Sequence, residues 1–184
     1  MRWTVIPGSS LQKTRWRNGH GTSRNVVTRL ARDGGLLWQV GIADLIEDAP
    51  FSHFPDHDRI FTPLAGEFAL SFRGGPFEPC PVFLPKPFPG EWDTRCRVRS
   101  PGQAFNAIVD RRQHRAEVAV RQLEAGDAVE APDAPEVVVY CIAGDLAAAG
   151  EELGPGDSLL GPGPASPGAA ASDATVIVVA VLPR

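Results

Sequence analysis

Hydrophobic and polar positions alternate with a period of two over several short stretches of the chain. "LLWQVGIA" (36–43) puts Trp38, Val40 and Ile42 on one face. "FALSF" (68–72) sets Phe68, Leu70 and Phe72 against Ala69 and Ser71, and "AEVAVRQL" (116–123) sets Val118 and Val120 against Glu117 and Arg121. That period is the pleat of a half-buried β-strand. "EVVVYCI" (136–142) and "TVIVVAVL" (175–182) are unbroken apolar runs rich in β-branched residues, which suit strands covered on both faces. The one helix-like segment is "DLAAAGEEL" (145–153), and Gly150 interrupts it. Eighteen prolines and nineteen glycines punctuate the runs. Many short strands between Gly/Pro turns predict an all-β sandwich or barrel.

A faint internal repeat refines this picture. "IFTPLAGEFALSF" (60–72) and "VVYCIAGDLAAAG" (138–150) share an apolar strand, then Ala-Gly-acid, then a second strand. Glycine there supplies a positive φ without steric cost. "LGPGDSLLGPG" (153–163) adds the Gly-Asp turn and small strand common in barrels of the cupin type. The expectation is an all-β, cupin-like double β-barrel, a bicupin of the jelly-roll kind. It would be one compact unit over residues 1–184, with a barrel over roughly 1–110, another over 111–184, and strand exchange between them allowed.

Charge narrows the partners. The formal net charge is −4 and the pI near 5.5, which argues against a nucleic-acid binder. Arginines nevertheless cluster at 15–32 and 95–115, so a local cationic patch and a small anionic ligand are expected. The longest apolar run, 174–182, is far short of a membrane span, and the N-terminus lacks the apolar core of a signal peptide. A cytoplasmic protein is expected. Three widely spaced cysteines give neither a disulfide framework nor a zinc knuckle. Exposed strand edges leave room for a homodimer.

Catalytic chemistry finds little purchase. No His-x-His pair exists for a cupin metal, and Pro55 in "HFPDHD" (53–58) denies His53 and His57 a common helical face. Neither a metal nor another cofactor is expected. Cys96 lies between arginines in "TRCRVR", but alternation turns it to the face opposite them. No GxSxG elbow occurs, and "NGHGTS" lacks the spacing and lysine of a phosphate loop. What remains is recognition of a small ligand by three separated segments. "WRNGHGTSR" (16–24) offers Trp16, Asn18, Gly19, His20, Thr22 and Arg24. "FSHFPDHDR" (51–59) offers His53 and Arg59, and "AFNAIVDRR" (104–112) offers Phe105, Asn106 and Arg111. An arginine fork holds a carboxylate through two parallel hydrogen bonds, a carboxamide orients it, and aromatic walls exclude water.

These three blocks resemble the HutD/Ves family in order and spacing. "WRNGHGTSRNV" is similar to its opening W-[KR]-N-G-G-G-x-T-x-E-I block. "VGIADLIEDAPFSHFPDHDR" is similar to S-I-A-x-I-x-x-D-G-P-F-S-x-F-P-G-x-D-R, and "AFNAIVDRR" to D-F-N-x-M-x-R-R. The resemblance runs from Met1 to about Val120. It implies a bicupin-like fold without the usual metal ligands. It also implies a role in histidine utilisation: binding an intermediate such as formylglutamate or urocanate and restraining pathway expression. Four positions depart from the pattern: His20 and His57 stand for glycines, Asn25 for a glutamate, and Ala104 for an aspartate. Two other readings stay open. One is a metal-free cupin isomerase, epimerase or hydrolase with His20 or His53 as general base. The other is a module whose loops serve a protein partner.

Overall fold

The structure is a computed structural model describing residues 2–16, 19 and 21–184. Its strands in chain order are β1 (Thr4–Ile6), β2 (Thr14–Arg15), β3 (Gly21–Leu30), β4 (Leu36–Leu45), β5 (Ala49–Pro50), β6 (His57–Phe72), β7 (Glu78–Cys80) and β8 (Lys86–Pro89). Then follow β9 (Thr94–Asp110), β10 (His114–Leu123), β11 (Glu136–Ala143), β12 (Leu146–Ala148), β13 (Glu151–Leu153), β14 (Ser158–Gly161), β15 (Gly168–Ala170) and β16 (Ala174–Pro183). The only helical element among the described residues is a 3-10 turn at Gly8–Ser10. No helix is long and apolar enough to cross a membrane.

The chain forms two compact units: Met1–Leu11 with Ala116–Pro183, and Gln12–Arg115 with Arg184. The first holds a five-stranded sheet in the order β1-β14-β11-β16-β10 and a three-stranded sheet β13-β12-β15. One apolar cluster joins Val137, Val139 and Cys141 of β11 and Val176 and Val178 of β16 to Leu146, Leu153 and Ala170 of the smaller sheet. Val138 and Tyr140, on the other face of β11, are buried as well. The unbroken apolar run thus has the two-sided burial its composition predicts.

The second unit is built on the sheet β2-β3-β4-β9-β6-β7, with β5 added on β9 and β8 on β6. Strands β6 and β9 are 16 and 17 residues long and pair along almost their whole length. The ladder slips between Pro63 and Phe68, where Gly66 takes φ +94°. Such bulges bend a strand and increase its twist. Backbone contact at the bend is very close: a Cβ on Gly102 of β9 would lie 2.0 Å from the carbonyl oxygen of Ala65. Phe61, Phe68, Leu70 and Leu45 are almost fully buried in the unit's core, and each such side chain contributes on the order of 2 kcal/mol.

The all-β architecture is the one the periodicity predicts, and Gly66 and Gly144 both take positive φ. They act differently, however. Gly144 follows β11 and leads into β12, whereas Gly66 bends a single continuous strand. Among the described strands none of the three sheets closes on itself. The helix-like "DLAAAGEEL" is a β-hairpin: β12 pairs β13 antiparallel across Ala149 (φ 54°) and Gly150 (φ 85°). Positive φ at both central positions is the geometry of a tight hairpin turn, and it overrides the helix propensity of three alanines.

Candidate functional site

Arg59 on β6 and Asn106 on β9 sit two residues out of register on one face of the sheet, since Arg59 pairs with Ile108 and Phe61 with Asn106. Diagonal neighbours of this kind lie within reach of long side chains. Arg59 Nε and Nη2 both donate to Asn106 Oδ1, at 2.9 and 2.7 Å. The same face continues across β4 through Gln39 and Gly41, which pair with Ile108 and Asn106, and onto β3 through Asn25 and Ser23. Gly41 leaves this floor low, because a Cβ there would lie 2.6 Å from the carbonyl oxygen of Arg24. Phe51, Ser52 and Phe54, together with Trp16, complete a cavity of about 140 Å³. That volume suits a small organic molecule.

Its electrostatics centre on Arg59. The residue is 6% exposed, with its guanidinium 4.0 Å from the Phe51 ring centroid and 5.8 Å from that of Phe88. Burial pushes its pKa down, to about 10, so it still carries its charge at neutral pH. No carboxylate pairs with it among the described residues. Other arginines have acidic partners: Arg24 with Asp44, Arg99 with Glu67, Arg111 with Asp58 and Glu91, and Arg112 with Asp110. A buried charge without a counter-ion costs free energy that an anion bound beside it offsets. The remaining polar lining is neutral: Ser23, Asn25, Gln39, Ser52 and Asn106. Neither carboxylate, imidazole nor thiol lines the cavity among the described residues.

The residues singled out in the sequence fall in several places. Trp16, Arg59 and Asn106 line the cavity. Gly19 (φ +78°) lies in the adjoining loop and donates its N–H to the carbonyl of Trp16. Asn18 and His20 lie outside the described residues. His53 is exposed and not among the lining residues. Phe105 is fully buried on the face of β9 opposite Asn106. Arg111 is held by Asp58, by Glu91 and by the His57 carbonyl, an arrangement that ties three segments together.

Thr22 and Arg24 point to the other face of β3. There Thr22 Oγ1, Arg24 Nη2, Gln103 Nε2 and Lys13 Nζ all meet the Asp44 carboxylate within 3.1 Å. Burial raises the Asp44 pKa, but hydrogen bonds from Lys13, Thr22 and Gln103 and the charge of Arg24 outweigh it and leave it at about 2. A depressed folded-state pKa contributes stability that is complete above pH 4 and lost as pH falls through 2. Asp44→Asn is therefore expected to remove about 1–2 kcal/mol at pH 7 and to flatten that part of the acid limb. Urea unfolding of both proteins from pH 2 to 7 checks this. Parallel acid limbs in the two proteins would contradict it.

The sequence gives no role to Ser23 or Gln39; Ser52 and Phe54 stand out only through the block that resembles the family's, and Asn25 only as a departure from its pattern. The usable signal was the period of two: once Asn106 is placed on a face, its partners across β4 and β3 follow by register.

The chain is similar to known proteins in sequence and in fold. A family model described as HutD matches residues 8–178. A protein of Pseudomonas putida, named as an uncharacterised 21.2 kDa protein in the hutC 3′ region, is 33% identical over 105 residues, covering 55% of this chain and 55% of that protein. The chain thus matches about half the length of this curated relative. The solved structure of HutD from Pseudomonas fluorescens SBW25 superposes with a TM-score of 0.79 at 23% identity, covering 99% of each chain. A cupin 2 conserved barrel domain protein from Leptotrichia buccalis gives a TM-score of 0.59 at 9% identity, covering 98% of this chain and 96% of that one. At these identities the two structures speak for a cupin-like fold alone.

Proposed function

Since the chain belongs to the HutD family, we propose that it is a small-carboxylate-binding regulatory protein tied to histidine utilisation. The observation that carries this reading is the Arg59–Asn106 pair: a buried guanidinium, without a carboxylate partner among the described residues, opening on a cavity with aromatic walls. A bound carboxylate supplies the missing counter-charge. The Asn106 amide, whose oxygen holds Arg59, has its nitrogen left to donate to the guest. The hutC neighbourhood in the P. putida relative's name supports the pathway assignment. Under the same reading each unit is one half of a bicupin, the protein is cytoplasmic, and binding regulates by favouring one of two conformations that differ in affinity.

The expected result is a rise in melting temperature when urocanate or formylglutamate is added. At a hundredfold excess over Kd the stabilisation is about 2.7 kcal/mol, several degrees for a protein of this size. An unchanged melting temperature across a panel of small organic acids would sink the proposal and leave an interaction module as the better reading.

A further inference from the structure

Both ring nitrogens of His57 end on carbonyl oxygens. Nδ1 lies 2.6 Å from the carbonyl oxygen of Pro55, and Nε2 lies 2.9 Å from that of Leu36. A carbonyl oxygen only accepts, so each of these bonds needs a proton on its nitrogen. A neutral imidazole has one such proton and the imidazolium has two. The pair of contacts therefore fits the cation, and loss of a proton turns a lone pair onto an oxygen and breaks one bond. The ring also stands beside the cavity. His57 opens β6 two residues before Arg59 and shares its face, since side chains alternate along a strand. Leu36 opens β4, the strand that carries Gln39. The ring thus braces β6 to β4 next to the row Arg59–Ile108–Gln39, which lines the cavity. Its centroid lies 6.2 Å from that of Phe54, another wall residue, in an edge contact.

The charged groups on the surrounding elements are engaged with one another. Asp58 and Glu91 pair with Arg111, whose Nη2 also donates to the His57 carbonyl, and Asp58 lies 3.6 Å from Arg184. Asp110, opposite His57 in register, and Asp56 pair with Arg112. In the turn before β4, Asp33 accepts from the Gly35 N–H and Arg32 is exposed. We infer that, given the carboxylate site proposed above, His57 is its positioning residue: the cationic ring braces the cavity wall and adds positive potential beside Arg59, so acid binding tightens as the ring gains its proton. An anion bound near this ring favours the protonated form. Affinity is therefore highest on the acid side and falls as pH rises and the proton leaves.

The probe is 3-(2-furyl)acrylate, a carboxylate with no group of its own that titrates between about pH 6 and 8. Calorimetric titration of the full chain is expected to show binding about three- to tenfold tighter at pH 6 than at pH 8. Repeating it in buffers of different ionisation enthalpy should show net proton uptake. His57→Gln, an amide that does not titrate, should bind with nearly equal affinity at both pH values and take up no proton. Equal affinity of the wild-type chain at both pH values, or a pH dependence that survives in His57→Gln, overturns the inference while leaving the carboxylate site intact. A probe that gives no heat at either pH also overturns it. If the melting temperature moreover stays fixed with every acid of the thermal screen, the carboxylate site itself falls.

Discussion

Replacing Arg59 by methionine is expected to abolish stabilisation by small acids while the protein without ligand melts at or above the wild-type temperature. The two halves have one cause. The guanidinium is buried against Phe51 and Phe88 and, among the described residues, its only hydrogen-bond partner is the Asn106 oxygen. Hydrogen bonds to a charged group contribute about 1.5–3 kcal/mol each, so losing the fork should weaken binding by roughly a hundredfold or more. Without ligand the account reverses. Methionine keeps most of the volume and the contact with the Phe51 ring, and the desolvated charge is gone. Asn106 Oδ1 loses its donors at a cost of about 1–3 kcal/mol, which offsets part of that gain. Thermal melts of both proteins with and without acid check the prediction. A variant that still responds to acid contradicts it, and Arg59→Lys, with the charge but not the planar fork, should fall between the two.

The second large effect is structural. Gly102→Ala is expected to cost about 3–5 kcal/mol or to prevent folding. The new methyl would sit 2.0 Å from the Ala65 oxygen, 2.4 Å from the Ala65 carbonyl carbon and 2.7 Å from the Gly66 Cα. These are backbone atoms, so no rotamer change makes room. Relief requires pulling β6 away from β9 at their shared bend. Arg59 lies on one of those strands and Asn106 on the other, so any variant that does fold should also lose ligand response. Glycine at 75 serves as the control. It lies outside the strands, where a methyl would come no nearer than 3.1 Å to the Phe72 oxygen. Gly75→Ala should cost much less. Equal chemical denaturation midpoints for Gly102→Ala and wild type would contradict this account of the bend.

Much of this was legible in the sequence, and the errors have physical causes. Trp38, Val40 and Ile42 announce β4 by alternation alone, and the cores follow from such runs. Arg59 and Asn106 were identified by chemistry, as a fork and a carboxamide, and the structure joins them. In the opening segment the sequence points to Thr22 and Arg24, which meet Asp44, whereas their neighbours Ser23 and Asn25 line the cavity. In a strand a shift of one residue exchanges the two faces, and only cross-strand register reveals which one is concave. Register could not be read locally, because a bulge breaks the β3–β4 ladder between Asn25 and Val27. Arg111 stands out by its charge, but the sequence does not show that Asp58 and Glu91 neutralise it. The departures from the family pattern separate in the same way. Asn25 lines the cavity, where it keeps a carboxylate out of the wall, while Ala104 is fully buried in the core cluster beside Leu45 and Phe61.

The most direct test of the central claim is a crystal structure of this chain grown with urocanate. The account predicts its carboxylate within about 3 Å of the Arg59 guanidinium and the Asn106 amide nitrogen, with the rest of the molecule in the cavity that Phe54 and Trp16 line. A ligand bound elsewhere, or Arg59 turned to a protein carboxylate with the cavity holding only water at saturating acid, would contradict it.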